Sequence, residues 1–354
     1  MNSLPLSQAL LRYTLPWLQL PWPLDWRSVF AVERPLVLEI GFGNGAFLRE
    51  QAQEHPDLNY VGVELAWRSV QRALKRLAQT DLDNVRIVEG DAQLAVRRLF
   101  APRSLTGVFI NFSDPWPKQR HHDRRLIQPD FVRCLAQRMK AGAQLCIATD
   151  HRDYARWIAG VLRDQTAFRS AFETPFVYHL PGRRPTKYEA KALEQGRTVH
   201  YFVWCRVKQT NEVEVPVERV KAEVEDVPNV LLKGETQLAP LLGLLSTRSW
   251  RERHREVEVF IKLEAVYLEL DRSSGLVEVL VKEGGLAQKL GIVITAHGGG
   301  VLLKPATFGY PRPTWGVKRA LWHVANLLLE QHGALEPVNS TVGTLKARRS
   351  EVSP

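Results

Sequence analysis

The sequence predicts an α/β protein: a mostly parallel sheet with helices on both faces, followed by a small C-terminal α+β domain. Three observations carry this. Short β-rich apolar runs alternate with helical patterns through residues 35–207, the mark of a doubly wound sheet. Each of five successive runs ends in a glycine-rich turn or a carboxylate. A Val/Glu-rich stretch with two prolines, 209–228, separates this pattern from a different one, at a length (354 residues) that suits two domains. The expected division is an N-terminal wrap (1–34), a ligand-binding domain (35–208), a linker (209–228) and an extension (229–354).

Residues 1–34 are apolar (Leu10, Leu11, Leu15, Trp17, Leu18, Trp22, Trp26), but Pro16, Pro21 and Pro23 interrupt them. No clean uncharged span of about 18 residues results, so a wrap with a short helix is expected and a membrane span is not. Pro35–Ile40 reads as the first strand, ending in Gly41-Phe42-Gly43-Asn44-Gly45, with a helix to about Glu54. Asn59–Glu64 is the second strand, and 66–79 a helix carrying Arg68, Arg72, Lys75 and Arg76. Val85–Glu89 leads into Gly90-Asp91-Ala92 and a helix over 92–99. Gly107–Phe112 leads into Ser113-Asp114-Pro115-Trp116-Pro117-Lys118, and a helix follows over 129–139. Gln144–Thr149 ends in Asp150; a helix over 154–164 and a last strand over 199–207 complete the pattern. In the extension, 256–270, 275–282 and 291–296 read as strands and 315–331 as an amphipathic helix.

Composition narrows the function. Three scattered cysteines (Cys134, Cys146, Cys205) without CxxC spacing exclude a disulfide scaffold and a thiolate zinc site, and fit a reducing cytoplasm. The whole net charge of +10 lies in residues 1–210, with 30 basic and 20 acidic side chains; the remainder has 18 of each. Of those 30, 24 are arginine, the better bidentate partner for phosphate. A polyanion is therefore the expected partner.

Open α/β sheets bind ligands outside the carboxyl ends of their strands, where Gly41, Gly43, Gly45, Glu64, Asp91, Asp114 and Asp150 all fall. The glycine loop with Glu64 suits a nucleoside, the acid accepting from ribose hydroxyls, although Gly41-x-Gly43-x-x-Ala46 also satisfies a loose dinucleotide fingerprint. Asp91 suits an adenine amine. Glu39, Glu64, Asp91 and Asp114 together would repel a pyrophosphate, which favours cationic S-adenosylmethionine over NAD. Prolines 115 and 117 stiffen the tip that carries Asp114 and Trp116. Lys118, Arg120, Arg124 and Arg125 beside it suit phosphates flanking an inserted base. The adjacent His121 and His122 do not converge on one ion without further ligands, so no metal is expected. Arg183–Glu189 reads as a charged loop.

Glu39-Ile-Gly-Phe-Gly-x-Gly, Gly62-Val-Glu64, Gly90-Asp91-Ala92, Asp114-Pro-Trp-Pro-Lys118 with Arg120-His121 and Arg124-Arg125, Thr149-Asp150 and Thr186-Lys187-Tyr188-Glu189 resemble, in order over 35–206, the bacterial tRNA (guanine-N7)-methyltransferase family. The resemblance implies a class I methyltransferase (Rossmann-like) fold and methyl transfer from S-adenosylmethionine to N7 of guanine-46 in the tRNA variable loop. It implies that Glu39, Gly41, Gly43, Gly45, Glu64, Asp91, Ala92 and Asp114 lie at the cofactor, with Asp114 also catalytic. Lys118, Asp150, Thr186, Lys187, Tyr188 and Glu189 would contact substrate, and Arg120–Arg125 would face RNA. Ser113 stands where the family usually carries proline, which is expected to loosen the loop. A methyltransferase for another RNA, a protein or a small molecule, and an RNA-binding protein with a silent methyltransferase fold, stay open as alternatives. The sequence assigns neither a role to 229–354, beyond a local patch at Lys346, Arg348 and Arg349, nor an oligomeric state.

Overall fold

The structure, a computed structural model, describes residues 4–183, 186–207, 228–254, 257–270, 273–284, 286–306 and 311–345. Most of the expected linker and the Lys346/Arg348/Arg349 patch lie outside these residues. The chain divides into two compact units, Met1–Lys221 and Ala222–Pro354.

In the first unit, α1 (Leu6–Tyr13), a 3₁₀ turn (Trp17–Gln19) and α2 (Trp26–Val29) precede the alternating elements. These are β1 (Leu36–Ile40), α3 (Ala46–Glu54), β2 (Asn59–Glu64), α4 (Trp67–Leu77), β3 (Val85–Glu89), α5 (Ala92–Leu99) and β4 (Leu105–Asn111). A second 3₁₀ turn (Gln119–Arg124), α6 (Pro129–Arg138), β5 (Met139–Thr149), α7 (Arg152–Arg163), β6 (Phe168–Ser170), α8 (Lys187–Glu194) and β7 (His200–Arg206) follow. The sheet order is β3-β2-β1-β4-β5-β7-β6. β1 to β5 run parallel, and β7 is antiparallel to both β5 and β6. β1 is central and buried along its whole length, as its unbroken Leu-Val-Leu-Glu-Ile requires. Chain order reverses between β1 and β4, and ligands bind at such a switch point.

Three details differ from the sequence reading. β5 begins at Met139 rather than Gln144, because a register shift opposite Leu105 and Gly107 carries the chain through Gly142 at φ +82°. Phe168–Ser170 adds an edge strand. The segment read as a charged loop contains a helix, α8, started by a capping box: Thr186 Oγ1 accepts from Glu189 N, and the Glu189 carboxylate accepts from Thr186 N.

The N-terminal residues follow the outer edge of β3. Leu15 N donates to Ile87 O at 2.9 Å, and Trp17 Nε1 to Glu89 O at 2.8 Å. A Cβ on Gly90 would come within 2.9 Å of the Trp17 ring, so glycine is needed there. Ala9 and Tyr13 of α1 join Val70, Ala73, Leu74 and Leu77 of α4 in one core cluster.

The second unit holds β8 (Val230–Lys233), α9 (Leu238–Gly243), β9 (Arg248–His254), β10 (Val257–Leu268), β11 (Ser274–Glu283), β12 (Leu286–His297), β13 (Gly300–Pro305), α10 (Trp315–Gln331) and β14 (Glu336–Ser340). Its antiparallel sheet has the order β14-β8-β13-β12-β11-β10-β9. Alternate residues such as Val259, Ile261 and Leu263, Val277, Val279 and Val281, and Ile292 and Ile294 form its core with Val317, Leu321, Val324 and Leu328 of α10 and Leu241 and Leu242 of α9. The sequence reading reaches three of these strands and α10; β8, β9, β13, β14 and α9 are additions, and β12 runs from Leu286 to His297 rather than over 291–296.

Candidate active site

Gly41, Gly43 and Gly45 follow β1 at φ +70°, +57° and +70°, conformations that exclude other residues without strain. At Gly45 a Cβ would also meet Ala73 Cβ at 2.5 Å, so the loop lies directly on α4. Glu64 locks the loop: Oε2 accepts from Gly43 N at 2.9 Å and Oε1 from Ala66 N at 3.0 Å. Asp91 accepts from Leu94 N at 2.8 Å and is the N-cap of α5, with Ala92 the first helical residue.

Glu39 is 2% exposed. Burial pushes its carboxyl up to about 8; the Asn111 amide and the Arg183 guanidinium pull against this rise, and Glu64 adds to it. At neutral pH Glu39 is therefore mostly protonated, which corrects the reading of four free negative charges around the site. Its Oε2 and the Asn111 Nδ2 are both buried and, though the two side chains face each other, neither completes a hydrogen bond of normal geometry. Such atoms cost free energy unless a ligand satisfies them. Arg183 donates to Asn111 Oδ1 (2.7 Å) and Glu189 Oε2 (3.2 Å) and lies over the Phe47 and Tyr201 rings.

Asn111, which the sequence reading did not single out, and Arg183, read there as part of a charged loop, thus join β1, β4 and the start of α8. The same network holds two of the expected substrate residues. Glu189 is buried, with Oε1 accepting from Tyr201 Oη at 2.7 Å and Oε2 from Arg183 and Thr186 N, so it braces the start of α8. Thr186 is its capping partner. Lys187 and Tyr188 open α8, and their side chains lie outside the described residues.

Asp114 sits at the end of β4 on a strained tip: Phe112 has φ +54° and Trp116 φ +41°. Three contacts hold this geometry. Phe112 N donates to Ala148 O at 2.8 Å. Ser113 Oγ and Tyr154 Oη share a hydrogen bond at 3.3 Å, a tether where looseness was expected from the missing proline. Arg125 Nε donates to Pro115 O at 2.9 Å. The Asp114 side chain itself is exposed and makes no hydrogen bond or ion pair with a described residue.

Arg125 also corrects an expectation. It is 2% exposed, stacked against Tyr154 and Trp157 and hydrogen-bonded to His122 Nε2 at 2.8 Å, so it faces the protein and not RNA. Replacing Arg125 with Ala should destabilise the protein by about 2–3 kcal/mol and leave the salt dependence of RNA binding unchanged; thermal melts and filter binding check both. Lys118, Arg120 and Arg124 are exposed, with Arg124 over the Trp116 ring. His121 turns to Trp116 and His122 to Trp157. Asp150 pairs with Arg197 at 2.5 Å and lines a recess of about 240 Å³ with Phe112, Lys191 and Ala192.

Residues 33–202 match the family described as "Putative methyltransferase". The tRNA (guanine-N(7)-)-methyltransferase of Thermus thermophilus is 35% identical over 317 residues, 88% of this chain and 94% of the relative. That of Nitrosomonas europaea is 40% identical over 197 residues, 55% of this chain and 86% of the relative. Among solved structures, the 16S rRNA methyltransferase KamB aligns over 52% of this chain and 93% of its own, at 15% identity and a TM-score of 0.40. A likeness over 88% of this chain is longer than either compact unit alone and so reaches into both, and the chain belongs to the tRNA (guanine-N7)-methyltransferase family.

Proposed function

We propose that this chain transfers the methyl group of S-adenosylmethionine to N7 of a guanine in tRNA, guanine-46 of the variable loop. The observation that carries the reading is Asp114, an unpaired carboxylate held at the switch-point edge by two strained residues and a buried arginine. The cofactor fits the residues present. Glu39 Oε2, an orphan acceptor, and Asn111 Nδ2, an orphan donor, suit the ammonium and carboxylate of its amino-acid end. Glu64 and Asp91 suit its ribose and adenine, and Gly41–Gly45 lets the chain approach closely.

S-adenosylmethionine supplies an electrophilic methyl group on a cationic sulfonium. Guanine N7 already bears a lone pair, so no proton must leave before attack and no general base is required. The protein's task is alignment. The braced tip holds Asp114 where positive charge develops on the guanine, and that carboxylate offsets it. Trp116, with Arg124 over its ring, provides an aromatic wall, while exposed Lys118 and Arg120 suit flanking phosphates. Among the described residues no helix is long and apolar enough to cross a membrane; a cytoplasmic site of action goes with this reading.

The test is incubation with unmodified tRNA transcript and S-adenosylmethionine, followed by nuclease digestion and mass spectrometry of nucleosides. One 7-methylguanosine per transcript is expected, and none when guanine-46 is changed to adenine. Methylation of the changed transcript, or of ribosomal RNA alone, would overturn the assignment.

A further inference from the structure

We propose that the outer face of α4 is a second RNA contact, binding the phosphodiester backbone of the substrate; the inference rests on the reading of tRNA as that substrate. Residues Trp67–Leu77 carry four cations and no acid. Arg68, Arg72, Lys75 and Arg76 recur at i, i+4, i+7 and i+8, so they share one stripe. The opposite face buries Val70, Ala73, Leu74 and Leu77. None of the four cations makes an ion pair, hydrogen bond or ring contact with a described residue.

A solvated helix face in the same unit looks different. Arg133 of α6 pairs with Asp130, and Arg156 of α7 with Asp153, each three residues apart. Helix stability does not account for the α4 stripe either. Lys75 and Arg76 complement the helix dipole in the last turn, but Arg68 stands in the first turn, where the dipole opposes a cation. Four like charges on one face also repel one another. A polyanion relieves both effects.

The shape agrees with the charge. Arg72, Lys75, Arg76, Gln79 and Asn44 line a recess of about 320 Å³, and Asn44 belongs to the glycine loop. At the start of the helix Trp67 is 41% exposed and Leu65 70%, just beyond Glu64. An exposed indole beside a basic groove is the pattern used to stack bases while phosphates are neutralised. From Arg68 to Arg76 the stripe runs about 12 Å, at 1.5 Å per residue.

The experiment is tRNA binding by the full chain across a salt series, comparing wild type with Arg72→Gln/Lys75→Gln/Arg76→Gln, with Arg72→Gln alone, and with the two-charge control Arg133→Gln/Arg156→Gln on α6 and α7. Glutamine keeps the helix propensity. The triple variant should lower the slope of log affinity against log salt by about 2 and the single variant by about 0.7–0.9, as counterion release requires. The tRNA KM should rise about tenfold or more in the triple variant, with kcat at saturating tRNA and S-adenosylmethionine affinity within about twofold. The control should leave the slope unchanged. An unchanged slope in the triple variant, or an equal drop in the control, overturns the proposal. The slope is a binding measurement, so it is read independently of whether wild type forms 7-methylguanosine.

Discussion

Replacing Asp114 with alanine should lower kcat for methylation by about 10²–10³-fold while changing tRNA affinity by less than about threefold. The tip carrying Asp114 owes its shape to Phe112 and Trp116 at positive φ and to the Arg125 and Tyr154 contacts, none of which involves the carboxylate. Its removal therefore takes away a charge and leaves the scaffold. Asparagine, which keeps the shape and loses the charge, should stay far below wild type. Single-turnover methylation and filter binding measured side by side provide the check. Equal losses in rate and affinity would make Asp114 a binding residue only.

The second large effect falls on Glu39. An unfolded chain would ionise this carboxyl near the ordinary 4.5, whereas the folded, cofactor-free protein holds its proton to about 8. Above pH 4.5 the folded state thus carries a proton that the unfolded state releases, and stability declines as pH rises, levelling beyond 8. Glutamine is neutral throughout. Glu39→Gln should therefore stabilise the cofactor-free protein by about 2–4 kcal/mol at pH 8 and change little below pH 4.5. The same substitution should weaken S-adenosylmethionine by about 100-fold, since an ammonium then meets an amide in place of a buried carboxylate. Urea unfolding at two pH values, with calorimetric titration of the cofactor, tests both halves. A variant no more stable at pH 8, or one that binds normally, would reject this role for Glu39.

Much of this was legible in the sequence because each signal was local. The glycine loop and the strand-end acids are short motifs on strands of strong period, and α10 spans Trp315–Gln331, as its amphipathic pattern required. What stayed hidden depends on contacts between distant positions. Arg183 reaches Asn111 across 72 residues, and nothing local marks that pairing. Arg125 shares a basic strip with Arg120 and Arg124, but only folding turns it inward against Tyr154 and Trp157. Thr186 and Glu189 also form a capping box, which a reading of the stretch as a charged loop passes over. β9 (RSWRERH) is an edge strand without apolar alternation; its Glu252 meets Arg319 and His323 of α10, and its Arg251 covers Phe260.

The course of residues 14–17 beside β3 has one more consequence. Every doubly wound sheet ends in strands whose unpaired amides and carbonyls invite a foreign chain to add on. Here one such margin is occupied from within, its Ile87 and Glu89 carbonyls already engaged by Leu15 and by the indole of Trp17. The leading segment thus works as a selvedge, closing that border of the sheet against self-association.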